Sequence, residues 1–133
     1  MELEWDGKAQ EFIDANQKGI TFPIQKEAVA VLQNMITSIK EKNIEVILIF
    51  PPEYVAIRPF IKNREQIMGI FKALAKNNNI EFWDYSDHPM CSQKKNFYNS
   101  EHLKGSAAIE FSKSFAYDLK AYLDGKQTGF IEK

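Results

Sequence analysis

The chain has 133 residues, 44% of them hydrophobic and 26% charged, with a formal net charge of -1; that fits one folded domain around one hydrophobic core. No basic excess or Lys/Arg-rich face favours nucleic acid, and the lone Cys91 excludes an intramolecular disulfide and a Cys-rich metal site. The longest apolar run, residues 46–50, is far too short to span a bilayer, and residues 1–6 have neither the basic start nor the apolar stretch of a signal peptide, which leaves the compartment open.

Residues 1–22 are weakly patterned and are expected to cover an edge of the core, with a turn at Lys18-Gly19. Residues 23–42 read as a helix: Pro23 suits a first turn, Ala28, Leu32, Met35, Ile36 and Ile39 make one apolar face, and Asn43 is a left-handed stop. Residues 44–50 are the clearest strand. Five consecutive apolar residues predict burial on both faces, as in a central parallel strand, and Pro51-Pro52 ends it. Residues 60–77 follow as a second helix and residues 80–85 as a second strand, with Phe82 and Trp83 in the core. The loop 86–100 carries Asp87, His88, Cys91, Lys94 and Lys95. A third helix, residues 103–123, buries Ala107, Ala108, Phe111, Phe115, Leu119 and Tyr122; Asn99 or Ser100 could cap it, and Gly125 ends it. The tail, residues 125–133, can add an edge strand through Phe130 and Ile131.

This order predicts an α/β fold: a three-layer, mostly parallel sheet with flanking helices and right-handed crossovers, flavodoxin-like but incomplete, since two strong strands are too few for a full sheet. The core would be residues 23–124. In such folds the functional loops lie beyond the carboxyl ends of the strands. That brings Glu53, Asp84, Asp87, His88, Asn99 and His102 toward one rim, with Tyr54 and Arg58 as ordinary loop residues beside them. His102, at a loop–helix junction, is the best catalytic candidate, because a histidine whose second nitrogen is oriented can act as a general base; the competing reading is a structural or solvated histidine. For Asp87 and His88 a solvated turn outweighs a metal or substrate role. Cys91 is expected in an exposed loop as a bystander thiol, and Lys94 and Lys95 as solvated surface.

The stretch Asn99-Ser100-Glu101-His102-Leu103, then Gly105, Ala107-Ala108 and Phe111-Ser112, resembles the last motif block of the SGNH (GDSL-type) hydrolases. That block reads Asp-x-x-His-Leu before a helix that starts with small residues. Residues 25–124 look like the second half of that fold, similar above all to bacterial SGNH-like proteins of the cell envelope, including those near the alanyl-transfer protein of teichoic acid modification. The resemblance implies ester hydrolysis or acyl transfer on an acylated carbohydrate or envelope polymer, an envelope location and no cofactor. It makes His102 the general base and puts Asn99 where an aspartate orients that base. An asparagine is neutral: it can hydrogen-bond a histidine, but it cannot stabilise an imidazolium by charge and can select the wrong tautomer. Glu101 or Asp87 could substitute. No Gly-Asp-Ser nucleophile block and no Gly-x-Asn-Asp block occurs in the 133 residues, so this chain alone is expected to be inactive.

Two other readings stay open: a non-catalytic, degenerate SGNH-like module that binds a saccharide or a partner protein, and, ranked last, an unrelated flavodoxin-like receiver or nucleotide binder, for which no Gly-rich phosphate loop follows a strand. An incomplete sheet would expose an edge, so homodimerisation over that edge is also expected.

Overall fold

The computed structural model describes residues 4–125. In chain order these form helix α1 (Lys8–Ala15), helix α2 (Lys26–Lys40), strand β1 (Ile47–Phe50), a 3-10 segment (Val55–Phe60), helix α3 (Arg64–Asn78), strand β2 (Glu81–Asp84), two short 3-10 turns (Pro89–Ser92 and Lys94–Asn96) and helix α4 (Gly105–Leu123). The fold is mixed α/β, with helix at 57% and a sheet of only two strands. β1 and β2 pair in parallel, Ile47 opposite Glu81 and Phe50 opposite Asp84, as a strand–helix–strand crossover of this length requires. No further strand of the expected larger sheet occurs among the described residues, and the expected tail strand lies outside them.

Side-chain alternation divides the sheet into two faces. Leu48, Phe50 and Phe82 pack with Met68, Phe71 and Ala75 of α3, and the Phe71 and Phe82 rings stack at 6.3 Å. The opposite face carries Trp83, fully buried between Phe115 at 5.9 Å and Tyr122 at 5.5 Å, both from α4. Burying a side chain of this size contributes about 2–3 kcal/mol, so the aromatic pairing of β2 with α4 is a principal tie between sheet and helix. α2 lies against α3, where Gln33 and Asn78 exchange amide hydrogen bonds of 2.7 and 2.8 Å.

The helix stops have a backbone cause. Asn43 (φ 59°) and Asn79 (φ 50°) adopt the left-handed conformation that ends a helix, and Gly125 does so at φ 75°. Several boundaries and environments differ from expectation. α2 starts at Lys26, with an extended Gln25 at its N-cap and no helix over residues 21–25. Residues 55–60 form a 3-10 segment containing Pro59, so α3 begins at Arg64. α4 begins at Gly105 with Lys104 at its N-cap, so neither Asn99 nor Ser100 caps it. α1 is a two-turn helix inside a segment that gave no helical pattern. Met35 faces solvent, and β1 is not buried on both faces: Ile49 is 39% exposed. No helix among the described residues is long and apolar enough to cross a membrane.

Candidate active site

His102 is held by a small, tightly cross-linked loop. Phe97 and Leu103 form an antiparallel bridge, Tyr98 N–H donates to His102 O at 2.8 Å, and Lys104 N–H donates to Asn96 O at 2.8 Å. Phe97 is fully buried and anchors the loop from below. At the tip, Asn99 turns its side chain inward. Its Oδ1 accepts the backbone N–H of Glu101 at 3.0 Å and of His102 at 2.9 Å, a local turn that asparagine favours. The same oxygen lies 2.9 Å from His102 Nδ1.

Those contacts fix the proton. The two backbone donors identify the Asn99 atom as the carbonyl oxygen, which only accepts, so His102 Nδ1 donates to it. The lone pair of the neutral imidazole is then on Nε2, and the residue is exposed. This is the tautomer a general base needs, and the asparagine selects it rather than opposing it. Neither alternative orienter reaches His102: Glu101 is exposed, and Asp87 Oδ1 accepts from Arg58 Nη1 at 3.0 Å.

The loop is fastened to the rest of the rim. Tyr54 N–H donates to Ser100 O at 2.8 Å, tying it to the segment after β1, and Asp6 N–H donates to Tyr98 O at 3.0 Å, tying it to the amino-terminal segment. Trp5 meets Tyr54 edge-on at 5.5 Å, and Lys94 Nζ sits 4.7 Å from the centre of the Trp5 ring. Lys94 is therefore a cation on an aromatic face, and both it and Lys95 are exposed. Trp5 and Asp6, just before α1, thus lie against the loop that carries His102.

None of the other candidates hydrogen-bonds the His102 side chain. Glu53 Oε1 accepts from Arg58 Nε at 3.1 Å and from Arg64 Nε and Nη2 at 3.1 and 2.8 Å, and Arg58 Nη2 also donates to Ser86 O. Asp84 Oδ1 caps the turn after β2 by accepting Ser86 N–H at 2.9 Å. His88 turns toward α4: its Nδ1 accepts Met90 N–H at 3.3 Å and its ring lies 6.1 Å from Phe111. Burial lowers its basicity, partly opposed by the negative charge of Asp118. The expectation for Cys91 is corrected. It is buried, with Sγ donating to Tyr85 O at 3.5 Å, and burial raises its thiol pKa above the ordinary value, so it is not a reactive surface thiol.

Sequence reasoning missed two groupings. Arg64, which carries no signal of its own in the sequence, shares Glu53 with Arg58. Asp118 is buried and accepts from Tyr85 Oη at 2.9 Å, which together with burial raises the tyrosine pKa well above its usual value. The signal for Asp118 was available, since it falls on the stripe of Phe111, Phe115 and Tyr122, where a carboxylate needs a partner. Among the described residues no group of three His, Cys, Asp or Glu is gathered to hold a metal ion. Compared with protein-family models, curated proteins and solved structures, the chain matches none.

Proposed function

We propose that this chain carries the base-bearing part of an SGNH-type hydrolytic site, with His102 as general base and Asn99 as its positioning partner. The observation that carries this reading is the 2.9 Å bond from His102 Nδ1 to Asn99 Oδ1 across a three-residue spacing, which leaves Nε2 as the basic nitrogen on the rim. A base so placed takes the proton of an attacking serine hydroxyl and returns it to the leaving alkoxide. The nucleophile comes from polypeptide beyond these 133 residues, because no Gly-Asp-Ser block is among them. The substrate class, from the resemblance, is an acylated carbohydrate of the cell envelope.

The test is hydrolysis of p-nitrophenyl acetate by the full gene product. His102→Ala lowers the rate by roughly 10²–10⁴-fold. Asn99→Asp raises it, because a carboxylate stabilises the imidazolium formed in the transition state. An active enzyme in which His102→Ala keeps the full rate would overturn the assignment. A full gene product with no serine block and no esterase activity favours the second reading, a non-catalytic SGNH-like binding module, which the neutral Asn99 supports.

A further inference from the structure

Asparagine beside a histidine raises a problem that aspartate does not. A carboxylate accepts through either oxygen, whereas an amide has an accepting end, Oδ1, and a donating end, Nδ2. Turned end for end, Asn99 would donate to His102 Nδ1, put the ring proton on Nε2 and remove the basic lone pair from the rim. Something must therefore decide which end of Asn99 faces the histidine. Two backbone donors do so, Glu101 N–H at 3.0 Å and His102 N–H at 2.9 Å, both to Oδ1.

The Glu101 donor is itself held from outside the loop. Its N–H and the C=O of Ser100 belong to one peptide unit, which is planar and trans, so the two groups point in opposite directions. On one side the C=O accepts Tyr54 N–H at 2.8 Å. On the other the N–H meets Asn99 Oδ1. A rotation of this unit that turned the N–H away from Asn99 would break the bond to Tyr54 as well. The Tyr54 main chain is in turn anchored by residues outside the loop. Pro52 is fully buried, Glu53 Oε1 is held by Arg58 and Arg64, and the 3-10 segment begins at Val55. The Tyr54 ring lies against the base of the loop, 5.7 Å from the buried Phe97.

We propose that Tyr54 is a positioning residue for His102: its backbone N–H, acting through the Ser100–Glu101 peptide, keeps the oxygen end of Asn99 toward the ring and the lone pair on Nε2. This role deepens the assignment of His102 as general base and, for its catalytic meaning, rests on it. Tyr54 acts through its main chain, which is why its residue type carries no such signal in the sequence.

The experiment is 15N NMR of the His102 imidazole in this chain, at a pH where the ring is neutral, in the wild type, Tyr54→Ala and Tyr54→Pro. Both variants lose the aromatic ring. Only proline also lacks the N–H, and it suits the φ of -69° at this position. The wild type shows the proton on Nδ1. Tyr54→Ala keeps that pattern, and Tyr54→Pro lowers the ratio of Nδ1–H to Nε2–H about threefold or more. In the Asn99→Asp background the same proline leaves the ratio unchanged, because a carboxylate has no donating end. A wild-type ratio in a folded Tyr54→Pro chain overturns the proposal. So does an equal fall in the Asn99→Asp background, which would make Tyr54 a general prop of the loop. A fall in Tyr54→Ala as large as in Tyr54→Pro would move the hold from the N–H to the ring and overturn it too. The converse coupling needs no change at Tyr54: Asn99→Ala speeds hydrogen exchange of the Tyr54 amide about threefold or more. An unchanged exchange rate overturns the proposal even where the proline variant does not fold. No substrate enters these measurements, so a failed relay is told apart from a failed base assignment, which shows as esterase activity that survives His102→Ala.

Discussion

The two histidines illustrate how far context decides chemistry. His102 is exposed and its proton is placed by an asparagine, while His88 is half-buried and packed toward Tyr85 and Phe111. Burial holds the His88 pKa below the ordinary 6.5, so the folded state binds this proton less tightly than the unfolded chain. The stability contributed by neutral His88 is therefore fully present above pH 6.5 and is lost as the pH falls through the folded value. Thermal melts from pH 7.5 to 5 are expected to show a falling midpoint, and His88→Gln to flatten that slope; an unchanged slope in the variant would show that another group causes it. The sequence made Asn99 and His102 legible because a three-residue spacing is local. It did not reveal the direction His88 faces, which is set by Phe111 and Asp118 on a distant helix.

At the scale of elements, legibility followed length. α2, α3 and α4 span 15, 15 and 19 residues, enough for a helical period to repeat, whereas the eight residues of α1 give about two turns and no readable stripe. The connection after α1 nevertheless has a firm structure. Ile20 bridges Ile61, accepting Lys62 N–H at 2.8 Å and donating to Phe60 O at 2.7 Å. Gly19 precedes that bridge at φ 76°, where an added Cβ would lie 2.9 Å from Lys62 Cε and 3.3 Å from Phe60 O. Gly19→Ala is expected to cost about 1–2 kcal/mol through the left-handed backbone and to lower Tm by roughly 4 °C or more, measured by calorimetry. An unchanged Tm would mean that the turn re-forms in another conformation.

For the whole molecule, the most apolar strand is not the most buried one. β1 has no charged residue, yet Ile49 is 39% exposed and Ile44 just before the strand is 54% exposed. β2 carries Glu81 and Asp84 at its ends but buries Phe82 and Trp83. Charges on a strand discourage further pairing, and their absence invites it. The sequence reading of β1 as an interior strand described its composition correctly; the neighbour that composition anticipates is not among the described residues. Light scattering is expected to show concentration-dependent self-association of the chain, reduced by Ile49→Lys with little change in Tm. A monodisperse monomer at every concentration, with wild type and variant alike, would count against an adhesive β1 edge.

The tie from Asp6 N–H to Tyr98 O has a consequence for the order of assembly. The β1–α3–β2 unit closes through contacts among neighbouring stretches of chain, which form early and at small entropic cost. The histidine loop is different. It is clamped by a residue near one end of the described chain and by Tyr54 near its middle, and bringing such distant segments together is the slow part of folding. The rim that presents His102 is therefore expected to form late, after the scaffold beneath it.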